Sequence, residues 1–258
     1  MNDILTAGKV ETSTDAHGVA TISFFHPAHN SLPGALLTEL AATITRVGQA
    51  AQTKVIVLRS EGEKTFCAGA SFDELMAIGT EAEGLDFFSG FAKVINACRT
   101  CPCIIIGRVQ GKAIGGGVGV AAATDYCLAT AHAAVKLSEL VVGIGPFVVG
   151  PAVERKIGGA AYAQLALDAA EFRSAAWARD RGLYAEIFDT TEQLDHAVAA
   201  FAAKLAAYNP EALRELKQVF WQGTVHWGDL LVERAGISGR LVLSDFTRQA
   251  IHRFKAKA

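Results

Sequence analysis

Two turns of small residues constrain this chain more than any other feature. Phe66 to Phe72 reads Phe-Cys-Ala-Gly-Ala-Ser-Phe, and Gly111 to Gly119 reads Gly-Lys-Ala-Ile-Gly-Gly-Gly-Val-Gly. Each follows a β-branched apolar run, Lys54 to Leu58 and Ile104 to Val109. Such runs read as strands, and strands alternating with helices imply an α/β fold. Gly and Ala leave the main-chain N–H groups uncovered. Two such groups aimed at one point make an oxyanion hole, which stabilises a carbonyl oxygen as it gains negative charge. A pairing of these two turns is the first functional expectation.

The rest of the chain is read around them. Val19 to Phe25 is expected as a strand, and Ser31 as the cap of a helix with Pro33 in its first turn. Leu36, Leu37, Leu40, Ile44 and Val47 share one face of that helix. Helices are expected from Ser71 to Ile78 and from Gly84 to Ala97, the second with Phe87, Phe88, Phe91 and Ile95 at helical spacing. A short helix through Ala123 follows the glycine turn, then a strand from Tyr126 to Ala129. Beyond Pro146 helices are expected at Phe147–Ile157, Ala160–Leu167, Ala175–Arg181, Thr191–Ala207 and Pro210–Trp221, with an edge strand at Ala185–Phe188. The tail from Gly228 to Lys257 carries one apolar stripe that includes Leu230, Leu231, Ile237, Leu241, Ile251 and Phe254. The implied organisation is a core over 1–195 and a C-terminal helical region over 196–258.

Composition removes several classes of function. The 258 residues carry a net charge of -2, with 51% apolar and 19% charged residues. That balance offers no basic field for nucleic acid. No run approaches the roughly 18 apolar residues of a membrane span. Met1 to His17 lacks a signal or transit pattern, so the expected compartment is the cytoplasm. Five Cys residues, at 67, 98, 101, 103 and 127, are odd in number and clustered, unlike a secreted disulfide framework. Cys98-Arg99-Thr100-Cys101 has no second pair to complete a zinc site. Small buried thiols and no metal are the expectation.

An oxyanion hole needs a group that moves protons or attacks carbon. Asp125 precedes an apolar strand and reads as a structural cap, and Glu154, beside Arg155 and Lys156, reads as a solvated face. Glu139 stands among apolar residues, Val135-Lys136-Leu137-Ser138 before it and Leu140-Val141-Val142-Gly143 after it. Desolvation there would raise its pKa toward the range useful for acid/base catalysis. A salt bridge or a capped turn is the other reading of the same residue.

The chain is similar over nearly its whole length to the enoyl-CoA hydratase/isomerase (crotonase) family. His26-Pro27-Ala28-His29-Asn30-Ser31-Leu32 resembles the family's Arg-Pro…Asn-Ala-Leu segment. Gly62 to Phe72 resembles its Phe-Cys-Ala-Gly-Ala-Asp-Leu segment, and Pro102 to Gly119 its Pro-Val-Ile-Ala…Gly…Gly-Gly-Gly segment. Ala175 to Phe188, with Arg181-Gly182-Leu183, resembles the Ala…Gly-Leu-Val stretch. The resemblance implies a spiral of ββα units followed by helices that support a homotrimer or a dimer of trimers. It implies an acyl-CoA thioester as substrate, with coenzyme A arriving as part of it and no separate cofactor. The N–H groups of Ala70 and Gly116 would bind the thioester oxygen, the main chain at Ala68 the adenine, and Lys64 a phosphate. Gly69, Phe72, Gly115, Gly117 and Gly119, their neighbours in the two turns, complete the expected substrate-binding set. Glu139 falls on one of two positions that hold catalytic glutamates in the family.

The departures shape the expected chemistry. Gly119 occupies the second glutamate position, and Ser71 stands where the family has Asp. After Gly143 the sequence Ile144-Gly145-Pro146-Phe147-Val148-Val149-Gly150 replaces Pro-Gly-Ala-Gly-Gly-Thr-Gln. One carboxylate suffices to shift a double bond, so isomerisation is placed slightly ahead of hydration. Two other readings compete: an acyl-CoA-binding protein without catalysis, and a nicotinamide dehydrogenase suggested by the GxGxxA match of Gly117 to Ala122. The dinucleotide reading needs its acidic residue at the end of the next strand, and Glu139 lies well beyond it. The loop from Gly143 to Gly150 contains no Asp for dehalogenation or naphthoate-type ring closure.

Overall fold

In the computed structural model the apolar runs lie side by side in one sheet, and each small-residue turn leaves that sheet at the end of its strand. Residues 8–255 are described, without the side chains of residues 252, 254 and 255. Phe254's place on the tail stripe, and residues 1–7 of the leader reading, fall outside them.

The elements in order are β1 (Lys9–Thr14), β2 (Val19–Phe25), β3 (Ser31–Leu32), α1 (Gly34–Gln49), β4 (Val55–Ser60), β5 (Thr65–Cys67), β6 (Gly69–Ala70), α2 (Phe72–Ala77) and α3 (Glu81–Thr100). There follow β7 (Ile104–Val109), β8 (Lys112–Ile114), α4 (Gly116–Ala123), β9 (Tyr126–Thr130), β10 (Val135–Lys136) and a 3-10 turn over Glu139–Val142. The remainder is α5 (Gly150–Ile157), α6 (Gly159–Leu167), α7 (Ala175–Asp180), β11 (Glu186–Phe188), α8 (Thr191–Ala206), α9 (Pro210–Phe220), α10 (Trp227–Leu241) and α11 (Asp245–Lys255).

A six-stranded sheet runs β1-β2-β4-β7-β9-β11, parallel throughout except for the antiparallel β1–β2 pair. Parallel strands are covered on both faces, which is why their sequences read as continuous apolar runs. Val55, Val57, Ile104, Ile106 and Leu128 meet Leu194, Val198 and Leu205 of α8 on one face. Ile56, Leu58, Ile105 and Val109 face the main core built on α1, α3 and α4. The smaller β10-β8-β5 and β3-β6 sheets are also parallel and carry the two turns.

Several expectations change. Ser31 does not cap α1: it lies in β3, and its hydroxyl donates to the Ala70 carbonyl at 2.8 Å. Pro33 takes the cap position, with no side-chain cap bond. α3 begins earlier, at Glu81, because Thr80 and Glu83 form a reciprocal capping box. The helix expected from Phe147 starts only at Gly150. The tail divides into two helices between Leu241 and Asp245. Residue 195, where the core was expected to end, falls inside α8, and Asp195 pairs there with the buried Arg108 of β7.

All five Cys residues are buried free thiols. Asp125 is structural, as part of a buried network rather than a strand cap. It accepts from the Ile105 amide, from Lys217 Nζ at 2.6 Å and from Trp221 Nε1 at 2.8 Å. Among the described residues no helix is long and apolar enough to cross a membrane.

Candidate active site

Asn30 sets the first wall of the site. This buried side chain accepts from the His26 amide and donates to the carbonyls of Glu61 and Thr65, clamping the strand exit beside the first turn. β3 then pairs with β6, Leu32 opposite Ala70. The Ser71 amide donates to the Leu32 carbonyl, so the preceding N–H, that of Ala70, faces away from β3.

The second turn presses against the first. Gly69 adopts φ +90°, and a β-carbon there would stand 3.6 Å from the Gly116 nitrogen and 3.3 Å from the Ile114 carbonyl oxygen. Gly116 is the first residue of α4, where an N–H has no intrahelical acceptor. The far end of the Phe91 ring of α3 packs onto Gly116, leaving no room for a side chain. The two small-residue turns thus meet at one place, with the positive end of a helix there.

A cavity of about 320 Å³ opens at this meeting point. Ala68, Gly69, Ala70, Phe72, Gly115, Gly116 and Glu139 all line it. The other three residues of the expected set do not. Gly117 is buried against Cys67, and Gly119 is buried against Val149. Lys64 borders a separate depression with His29, Lys112 and His132.

Glu139 begins the 3-10 turn after β10, and that turn ends on Gly143 in the left-handed conformation. Thr247 of α11 donates its hydroxyl to the Gly143 carbonyl at 3.2 Å, holding the turn from behind. The Glu139 carboxyl faces Gly115 across the cavity wall. Its Oε2 is buried without a hydrogen-bond partner. Burial pushes the carboxyl up to about 7, opposed only by the residue's own amide. A carboxyl so placed exchanges protons readily near neutrality.

The segment after Gly143 lines the cavity from Ile144 to Val149. Other residues of the site were not singled out in the sequence: Lys136, Ser138 and Ser238 line the cavity, as do Phe87, Phe88 and Phe91. The helical spacing of the three Phe residues was a signal for a buried face, though not for which space it borders. Ser238 arrives on α10, which crosses α3 so closely that a β-carbon on Gly84 would lie 2.6 Å from Gly239 Cα. The helical tail therefore walls the cavity of its own chain. Among the described residues no cluster of His, Cys, Asp or Glu could hold a metal ion.

The enoyl-CoA hydratase/isomerase family profile matches residues 14–229. The chain is 28% identical over 242 residues to a probable enoyl-CoA hydratase of Bacillus subtilis, covering 93% of each protein. It is 29% identical over 131 residues to the (7aS)-7a-methyl-1,5-dioxo-2,3,5,6,7,7a-hexahydro-1H-indene-carboxyl-CoA hydrolase of Rhodococcus jostii, about half the length of either. Human mitochondrial delta3-delta2-enoyl-CoA isomerase superposes with a TM-score of 0.85 at 20% identity, over 96% of this chain and 97% of that one. The fold is therefore the crotonase fold. With its profile matched from β1 to α10 and its two turns joined over a buried carboxyl, this chain belongs to the enoyl-CoA hydratase/isomerase family.

Proposed function

We propose that this protein moves a proton within an unsaturated acyl-CoA thioester, shifting its double bond rather than adding water. The thioester oxygen would lie between the N–H groups of Ala70 and Gly116. Glu139, as carboxylate, takes a proton from C2 of a 3-enoyl thioester. The electron pair passes through the carbonyl to oxygen, giving a dienolate that the two N–H groups and the N-terminus of α4 stabilise. The protonated Glu139 then returns its proton to C4, leaving the 2-enoyl thioester. One group both accepts and donates, and no other reactant is consumed.

The observation that carries this reading is the filled space beside Gly119. A β-carbon there would stand 2.5 Å from Val149 Cγ1, so a side chain at that position, a second carboxylate included, has no room unless Val149 shifts. Adding water in two concerted proton transfers draws on a pair of acid/base groups, whereas a 1,3-proton shift needs one. The raised pKa of Glu139 fits a group that must release the proton it has taken.

Exchange in heavy water tests the reading directly. Wild-type protein incubated with a 3-enoyl-CoA in D₂O should yield the 2-enoyl-CoA, with deuterium at C4 to the extent that the protonated Glu139 exchanges with solvent before it returns its proton, and at C2 through the reverse reaction. Glu139→Gln should bind the thioester and exchange nothing. Exchange persisting at the wild-type rate in Glu139→Gln would remove Glu139 from the mechanism.

A further inference from the structure

The cavity is walled by aromatic rings carried on three separate segments. Phe72 comes from α2, Phe87, Phe88 and Phe91 from α3, and Phe147 from the loop before α5. Phe91 is buried against Gly116, but the other four are only half-buried. Phe87 and Phe88 stand edge to face, their centroids 5.0 Å apart and their planes at 88°. A half-buried ring beside a cavity retains apolar surface that a ligand can cover. Rings also attract one another through edge-to-face and offset contacts that an alkyl chain cannot make.

The space is wide in rings and short in reach. At about 320 Å³ it is at the small end of the roughly 300–1,000 Å³ usual for ligand pockets, and it must also hold the thioester. Leu75 and Ile144, which line it, are backed by Val242 and Ile251 of the C-terminal segment. Ser238 of α10 lines it too. A long straight chain would compete with the thioester for that volume.

We propose that the substrate's acyl group is a short chain ending in an aromatic ring, received among Phe72, Phe87, Phe88 and Phe147. The inference rests on the thioester reading given above and adds the class of acyl group to it. Affinity for unreactive saturated thioesters tests it without any turnover. 4-Phenylbutanoyl-CoA and decanoyl-CoA carry the same number of acyl carbons; the first keeps the chain carbon C4 that the double-bond shift requires, and the second replaces the ring with a longer straight chain. Calorimetric titration of wild-type protein should give at least tenfold tighter binding of 4-phenylbutanoyl-CoA. Phe88→Leu should erase most of that preference while changing decanoyl-CoA affinity less than about threefold. Equal or tighter binding of decanoyl-CoA by the wild type would overturn the ring-bearing substrate and leave the thioester reading intact. Failure of both thioesters to bind would overturn the two together.

Discussion

The Glu139 carboxylate rests directly against Gly115: a β-carbon on Gly115 would stand 3.2 Å from Oε1 and 3.6 Å from Cδ. Gly115 holds φ 53° and ψ -116°, a conformation from which residues with a side chain are nearly excluded. Gly115→Ala should therefore lose about 1–3 kcal/mol of stability to backbone strain. It should also move the carboxylate, and a shift on the order of 1 Å at a reacting group can cost about 100-fold in rate. Steady-state kinetics and a thermal melt on the same variant check both. A lowered melting point with unchanged kcat would make this contact structural only.

Burial of Glu139 couples activity to stability through pH. Its carboxyl is raised from the usual value near 4.5 to about 7, so the folded protein binds this proton more tightly than the unfolded chain. The associated stabilisation is complete below about pH 4.5 and is lost as pH rises through about 7, amounting to roughly 3 kcal/mol in all. Glu139→Gln has no charge to bury, so it should melt above wild type at pH 8 and level with it near pH 4.5. Catalysis runs the other way, because the base must be ionised: kcat/KM should climb between pH 6 and 8. Parallel melts and rate profiles test both signs, and a flat difference in melting point across that range would contradict the raised pKa.

The elements that were legible in the sequence are those whose burial leaves a periodic trace. β2 and β7 lie where alternation and β-branching put them, and α1 buries the five residues assigned to its inner face. β1 left no such trace, because Lys-Val-Glu-Thr-Ser-Thr is an edge strand with almost no buried side chain. Ser31 two residues before Pro33 imitates a helix start, yet its hydroxyl is taken by Ala70, 39 residues away in sequence. In the site, small residues at Ala70 and Gly116 and an acid among apolar neighbours at Glu139 were visible as chemistry. Val149 in the space beside Gly119 was not, since a Gly-Val contact across thirty residues is a fact of packing alone.

Asp125 and Lys217 form an ion pair with both side chains only 2% exposed, and it fastens α9 to the start of β7. Lys217→Met would strand a buried carboxylate, although the Ile105 amide and Trp221 Nε1 still serve it. The expected loss is therefore near the lower end of the roughly 3–5 kcal/mol typical when one partner of a buried pair is removed. Lys217→Met with Asp125→Asn should recover part of it, because the uncompensated charge is gone. Urea unfolding of the two variants measures this, while kcat per folded molecule should stay at the wild-type value. A double variant less stable than Lys217→Met would show that Asp125 acts through its hydrogen bonds alone.

Val149 and Gly119 should prove energetically coupled. A side chain at 119 collides with Val149, at 2.5 Å from Cγ1 and 2.7 Å from Cβ, so Gly119→Ala should cost about 1–3 kcal/mol by overpacking. Val149→Ala clears that volume, and the double variant should recover about 0.5–3 kcal/mol relative to the sum of the single changes. The same pair governs the reaction. With Val149→Gly making room, Gly119→Glu would place a second carboxylate near the first, and addition of water to a 2-enoyl-CoA should then appear as a loss of the conjugated thioester's absorbance. Gly119→Glu alone, with Val149 in place, should unfold or stay inactive in that assay. If instead the wild type hydrates 2-enoyl-CoA as fast as it shifts the double bond of the 3-enoyl isomer, one carboxylate is enough for both. The preference for isomerisation, which rests on the closed space between these two residues, would then be wrong.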